Sequence, residues 1–171
     1  GREMNTAAAI EIAVAAVLRQ FATLGEGVVV RPSQSLNSDP TWKKSKDRTY
    51  PMVSVQCSTP DPEDGNPAVM EASCRVVCGT WNDDDKDHNK VREMFDGATS
   101  CLSRLFGAFR KGNEAEELSL FREKLLENVD PAFFETEEWA LKMRGGDEPV
   151  LGEANYYSVS LIVKYQNPAF C

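Results

Sequence analysis

The stretch from Val69 to Phe109 constrains the fold most, because two different periodicities follow each other within it. In its first part, from Met70 to Cys78, apolar side chains stand at every second position with mostly polar ones between them. A period of two is typical of a strand with one buried face. After an acidic segment, apolar residues recur three and four positions apart from Val91 to Phe109. This spacing predicts an amphipathic helix of about six turns.

Charged residues flank the predicted helix with the polarity that a helix macrodipole favours. Asp87 stands where an N-cap is expected, and the acidic residues before it face the positive end of the dipole. Arg110 and Lys111 lie at the other end, and Gly112 follows as a stop signal. We therefore predict a helix over Asp87–Phe109 that packs on the preceding strand.

The rest of the chain adds two helices and three strands with similar signals. Residues 133–143 suit either a strand or a helix, and the glycine-rich turn after them favours a strand. The predicted order is a helix at 5–24, strands at 28–31, 52–58 and 70–80, helices at 87–109 and 114–128, and a strand at 156–164, with a turn at 60–67. This order predicts an α+β fold with a mostly antiparallel sheet of about four to five strands and helices packed on one face.

The length of 171 residues, 42% of them hydrophobic, is sufficient for one domain with its own core. Gly1-Arg2-Glu3, ahead of Met4, is typical of a cloning remnant. We therefore assign 4–171 to a single domain with a long loop at 33–50 and a helical insert at 113–147.

No window reaches the run of apolar residues that a membrane span needs, and the start lacks the basic leader of a signal peptide.

Cysteine usage and charge narrow the class of protein further. The five cysteines and one histidine lack the spacing of a zinc site, and Cys74 and Cys78 fall on the apolar face of the alternating strand. We expect reduced core thiols in a cytosolic protein, and no cofactor. The formal charge of −8 disfavours a nonspecific duplex binder, which needs a basic surface, but allows DNA to pass nearby without being held.

The acidic segment at 83–88 is the candidate reactive cluster. Asp83, Asp85 and Asp87 could offer oxygen ligands to a divalent cation, and His88 could act as a base beside them. The same carboxylates at a helix N-terminus stabilise the helix without any metal, and this is the interpretation we favour. Since no phosphate loop, nucleophile elbow or dinucleotide fingerprint occurs, we expect no enzyme.

Polar segments without periodicity are candidates for contact with partners. The loop at 33–50 is either a solvated loop whose tryptophan folds back onto the domain or an arm that docks on a neighbouring subunit. The turn at 144–152 is a second candidate, and the hydroxyl-rich face of the last strand suggests subunit contact or a merely exposed face. The interface candidates are Trp42, Lys43, Lys44, Lys46, Arg48, Arg144, Asp147, Tyr156 and Ser158.

The order of elements resembles that of the tail terminator or tail completion proteins of long-tailed bacteriophages. The resemblance covers nearly the whole chain, while the insert at 113–147 is larger than the family pattern requires. It rests on the amphipathic stretch 9–24, the strand 28–31, the paired strands 52–58 and 70–80, the helix 87–109 and the closing strand 156–164.

The resemblance implies a structural protein of the virion tail or neck, assembled in the host cytoplasm. Its subunits would close into a ring, commonly a hexamer, that caps the tail tube and joins it to the head connector. The implied partners are other copies of the chain, the tail tube protein and the connector proteins, without a membrane. DNA would cross the lumen without specific binding, and a net-acidic chain is compatible with that.

Two alternatives stay open at this point. One is another head–tail connector, such as a head-completion or stopper protein, which differs only in the partner that it caps. The other is a small acidic intracellular binding domain with a metal-binding loop at Asp83–His88.

Overall fold

The structure of the chain, a computed structural model, describes residues 6–32, 50–111, 114–129, 140–144 and 153–167. These residues include three α-helices: α1 (Thr6–Phe21), α2 (Asn89–Lys111) and α3 (Glu116–Leu126). They also include six strands: β1 (Val29–Pro32), β2 (Met52–Cys57), β3 (Asp61–Glu63), β4 (Asn66–Trp81), β5 (Ala140–Arg144) and β6 (Ala154–Gln166). The predicted α+β class is confirmed. None of the described helices is long and apolar enough to cross a membrane.

The strands form one sheet in the order β1-β2-β4-β6-β5, with β3 paired to β4. β1 and β2 run parallel, and the other pairs are antiparallel, as predicted for most of the sheet and for β2 with β4. β4 is the central strand, because it pairs with β2 on one side and with β6 along most of its length on the other. Parallel neighbours cannot be joined by a two-residue hairpin, so the sequence between β1 and β2 has to be long.

The alternation of β4 places one row of side chains against the helices. Ala72, Cys74, Val76 and Cys78 are fully buried in the hydrophobic core, as the period of two predicts. Both thiols are free.

Helix α1 is buried on most of its circumference. Its alanines Ala9, Ala13 and Ala15 are inaccessible to solvent, and it packs against β1, β2 and α3. A helix that is apolar all round belongs inside a fold, and alanines permit close approach of its neighbours. The α3 side chains Leu118 and Phe121 are buried with it in the same core, as the predicted apolar stripe requires. The helix of the insert is therefore part of the core.

The edge strand β1 is closed off by an arginine of α1. In a parallel pair the backbone groups of alternate residues bond to the neighbouring strand, and those of Val30 point to the outer edge. The Arg19 guanidinium donates to the Val30 carbonyl oxygen from Nη2 at 2.7 Å and from Nε at 3.2 Å. Pro32 has no N–H to offer at this edge. Both features protect an edge strand from pairing with another chain.

The structure revises several predicted boundaries and decides the ambiguous segment in part. The predicted turn at 60–67 contains β3, because β4 begins at Asn66 and Gly65, with φ of 78°, turns the chain back on it. α1 ends at Phe21 rather than at residue 24, ahead of two glycines with positive φ. Ala140–Arg144 is a strand, as favoured for this part of the ambiguous segment. Residues 133–139 lie outside the described part.

Gly97 marks the closest approach between α2 and the end of α1. A Cβ atom built on Gly97 would lie 1.9 Å from the Thr23 carbonyl oxygen, a distance that no pair of real atoms tolerates. Gly107 of the same helix has nothing within 4 Å of such an atom. The two glycines therefore form a matched pair for testing how tightly α2 is packed.

We expect Gly97→Ala to lower the free energy of unfolding by about 1–3 kcal/mol, because α2 has to move away from Thr23. Gly107→Ala should leave it unchanged or raise it by up to about 1 kcal/mol through helix propensity. Urea unfolding followed by circular dichroism measures both. Equal effects of the two substitutions would contradict the packing described.

Candidate functional site

The acidic segment singled out in the sequence lies at one end of the sheet. β4 ends there at Trp81, β6 begins there at Ala154, and the two residues are paired across the strands. A single 3₁₀ turn, Asn82–Asp84, and a short loop connect β4 to the start of α2. Tyr50, two residues before β2, lies against the same end. We call this region the polar end of the sheet.

Asp85 is the centre of the hydrogen bonds at the polar end. Its carboxylate accepts from the Thr80 hydroxyl at 2.7 Å and from the backbone N–H groups of Lys90 and Val91 at 3.0 Å each. Asn155 of β6 donates to the Asp85 carbonyl oxygen at 3.2 Å. Asp85, Thr80 and Asn155 are all buried. The carboxylate thus caps α2 and ties it to β4, and through Asn155 the loop is held to β6.

The prediction that Asp87 caps the helix is confirmed only in part, because the buried cap is supplied by Asp85. α2 begins at Asn89, two residues later than predicted, so the orphan N–H groups that need a partner are within reach of Asp85. Asp87 is exposed. Its carboxylate accepts from the backbone N–H of Asn89, the first residue of α2, at 3.3 Å and from the Asn89 side-chain amide at 2.8 Å. His88, with φ of 62°, bends the chain between the two aspartates.

The three candidate metal ligands are not arranged as a binding site. Asp83 is exposed, and Asp85 is buried with both carboxylate oxygens accepting hydrogen bonds. Within the described ranges, no group of three or more His, Cys, Asp or Glu side chains is placed to hold a metal ion. The described geometry of the acidic segment is that of a helix cap.

Three aromatic rings cluster beside the capped loop. The Tyr50 ring centroid is 5.6 Å from that of Trp81 and 6.2 Å from that of Tyr156, both in tilted arrangements. The two tyrosine hydroxyls share a hydrogen bond. Burial, followed by that hydrogen bond, raises the pKa of Tyr50 well above its usual range, and burial also raises the pKa of Tyr156. Both phenols therefore stay neutral across the physiological pH range.

Trp81 lines two openings at the polar end. A pocket of about 180 Å³ lies between Tyr50, Trp81, Asp84 and Lys90. A wider groove of about 360 Å³ is lined by Trp81 with Asn82, Asp83 and Glu153. Aromatic faces with carboxylates at their rim are complementary to ammonium and guanidinium groups. This end of the sheet is thus suited to contact a basic segment of a protein.

The second face of the sheet, opposite the helices, carries the hydroxyl groups predicted for β6. Ser158 is buried, and Arg75 donates to its hydroxyl at 3.5 Å. Ser54 of β2 and Ile162 of β6 are also buried on this face. Tyr156 is half-buried in the aromatic cluster. Tyr156 and Ser158, both proposed as interface residues, are thus packed within their own chain.

The remaining interface candidates fall largely outside the described residues. Arg144 is the last residue of β5, where its backbone pairs with Ser160. The description does not extend to its side chain. Outside the described part lie Trp42, Lys43, Lys44, Lys46, Arg48 and Asp147.

Several residues of the polar end were not found by sequence reasoning. Tyr50 adjoins a proline and Trp81 ends a strand, while Thr80 and Asn155 stand in alternating runs. No sequence pattern therefore marks any of the four as part of a site. Their partners are distant in sequence, as in the contact between Tyr50 and Tyr156. The available hint was the concentration of aromatic residues at strand ends.

Comparison with known proteins does not assign the chain to a family. No protein-family model matches it, and no curated protein sequence is significantly similar to it.

We expect Asp85→Asn to lower the free energy of unfolding by about 1–3 kcal/mol. The Asp85 carboxylate accepts three hydrogen bonds, and in the variant an amide nitrogen, which cannot accept, replaces one of its two oxygens. Asp83→Asn makes the same change of charge at an exposed site and should stay within about 0.5 kcal/mol of the parent. Urea unfolding measures both. Stabilisation of the parent by Ca²⁺ or Mg²⁺, lost in both variants, would instead indicate a metal site.

Proposed function

We propose that the chain is a structural subunit of a bacteriophage tail: a tail terminator that assembles into a ring, caps the tail tube and meets the head connector. The proposal rests on the resemblance of the element order to that family. It is supported by a fold of the class that the resemblance implies, with a mostly antiparallel sheet and helices sharing one core. The role is mechanical, and the chain acts by assembly rather than catalysis.

The described fold that agrees with the proposal is organised around a central strand. β4 pairs with both β2 and β6, and the two long helices α1 and α2 share the core on its apolar side. The segment between β1 and β2 starts and ends on this rigid frame, at Pro32 and at the Tyr50 aromatic cluster. Long polar segments that connect packed elements are where binding contacts concentrate.

The charges of the chain favour contact between unlike surfaces of neighbouring copies. Lys43, Lys44, Lys46 and Arg48 concentrate positive charge in a chain whose formal net charge is −8. The polar end of the sheet presents Trp81 with exposed carboxylates such as Asp83. In a cyclic ring each subunit offers one surface to a different surface of the next, and complementary charges set the register of such contacts.

The outer edge of β1, which Arg19 covers, limits the ways in which subunits could join. Arg19 occupies the outward carbonyl of Val30, so extension of the sheet at this edge would first require that contact to break. Subunit contact through side chains, rather than through added strands at β1, is the arrangement that we propose.

The first test is the solution mass of the purified chain, measured by light scattering over a range of protein and salt concentrations. We expect a closed assembly near six times 19.0 kDa that weakens with salt as charge pairs are screened. Electron microscopy should then show rings, and added tail tubes should be capped at one end. A strict monomer that also leaves tail tubes uncapped would contradict the proposal. Capping of isolated heads instead would identify a head-completion or stopper protein.

The second test substitutes Trp42, the large aromatic residue of the loop at 33–50. We expect Trp42→Ala to reduce the assembled fraction at least tenfold, corresponding to more than about 1.4 kcal/mol of interface energy, without changing the unfolding midpoint. Leu126→Ala is the matched control, because Leu126 is an exposed apolar residue of α3, and it should not affect assembly. An unchanged oligomer in Trp42→Ala would count against the arm.

A further inference from the structure

Two cysteines face each other across the strands β2 and β4. Cys57, the last residue of β2, is the register partner of Cys74 in β4. Both side chains lie on the helix side of the sheet, where Cys74 is buried and Cys57 is partly accessible. Both thiols are free in the structure.

The hydrogen-bond pattern shows which kind of pair they form. The next residue, Ser58, donates its N–H directly across the strands to the Ser73 carbonyl oxygen at 2.8 Å. In an antiparallel ladder the two kinds of pair alternate, so Cys57 and Cys74 form a non-hydrogen-bonded pair. The N–H of Cys57 points away from β4 and donates to the Glu11 carboxylate of α1 at 2.8 Å. This bond holds the Cys57 backbone in place.

The geometry of such a pair suits a disulfide. Directly opposed residues of a non-hydrogen-bonded pair have Cα atoms about 4.5 Å apart and bring their side chains closest together. Disulfides span Cα separations of about 4.4–6.8 Å. Interaction with the neighbouring Cys57 thiol, followed by burial, raises the pKa of Cys74 well above its usual value, as expected for thiols on directly opposed residues.

We propose that Cys57 and Cys74 form a redox-active pair, a modification site that closes to an intramolecular disulfide by exchange with a small disulfide such as oxidised glutathione. The accessible Cys57, as thiolate, attacks one sulfur of the small disulfide and expels one thiolate. Cys74 then attacks the Cys57 sulfur, its proton passes to the departing sulfur of the small molecule, and that second half leaves as a thiol. The two protein thiols lose two electrons, and the small disulfide becomes two thiols.

The other described cysteines lack this arrangement. Cys78 is paired with Val53 on β2, and burial raises the pKa of its thiol to about 12. Cys101 lies in α2, where burial raises the pKa to about 11. Both thiols are buried, which leaves the partly accessible Cys57 as the entry point among the described residues.

The bond would join the two ends of the β3 hairpin, residues 58–73, and lock β2 to β4. One consequence rests on the proposed function. A tail protein is assembled in a reducing cytoplasm and then leaves the cell with the particle, so the pair would be open during assembly and closed in the released virion. The chemistry itself does not depend on that role.

The test treats the purified full-length chain with oxidised glutathione in excess over reduced glutathione. We expect intact mass to fall by two hydrogen atoms, without a glutathione adduct, and peptide mapping to join Cys57 to Cys74. The unfolding midpoint should rise by about 5–10 °C and return on addition of dithiothreitol. Stable glutathione adducts, a different pairing, or an unmodified chain would each overturn the proposal.

Variants separate this pair from general thiol chemistry. Cys57→Ser, at a partly exposed position, should abolish both the mass loss and the shift in midpoint, whereas Cys101→Ala should retain both. Cys74→Ala should stop at a glutathione adduct on Cys57, because the resolving thiol is missing. Retention of the internal disulfide in Cys57→Ser would contradict the assignment. The mass and the unfolding midpoint are measured on the free chain. A failure to form the disulfide is therefore distinguishable from a failure to assemble into a ring.

Discussion

The buried carboxylate of Asp85 is the interaction on which the arrangement of the polar end depends. It satisfies two N–H groups at the start of α2 and the hydroxyl of Thr80 at the end of β4. The backbone carbonyl of the same residue receives the amide of Asn155 at the start of β6. A charge-assisted cap in a buried position is stronger than an exposed one and leaves little freedom in the angle between helix and strand. Through this single residue, the central strand, the long helix and the last strand are held together.

The aromatic cluster is built on this framework and gives the polar end its chemical character. Gly79 makes room for it, because a Cβ atom there would lie 2.9 Å from the Met52 methyl group and 3.2 Å from the ring of Tyr156. The rings of Tyr50 and Trp81 then pack beside exposed carboxylates, which produces a surface suited to basic partners. The opposite end of the β2–β4 pair is different in kind, since it carries the Cys57–Cys74 pair and the hairpin of β3. Contact and redox chemistry are thus proposed for separate ends of the same two strands.

Sequence reasoning succeeded where a local period reports burial directly. The alternation in β4 and the spacing of three and four in α2 identified residues such as Cys74 and Met94 as core, and both are fully buried. It failed where the outcome depends on which backbone group lacks a partner. Asp85 and Asp87 look equivalent in sequence, and only the start of α2 at Asn89 places the orphan N–H groups near Asp85. The aromatic cluster was missed for the same reason, because its members are brought together by strand register.

The sequence by itself determined the types, order and buried faces of the long elements, because those properties follow from periods of 2 and 3.6 in apolar side chains. The short strand β3 was not predicted, since three residues are too few to show a period. The tertiary structure alone decided which strands are neighbours, and hence that β1 runs parallel to β2 and that β4 lies between β2 and β6. It also decided that Cys57 opposes Cys74 and that Tyr50 reaches Tyr156. Such pairings depend on register between segments distant in the chain, and a shift of one residue would reverse every face without altering the composition of any segment.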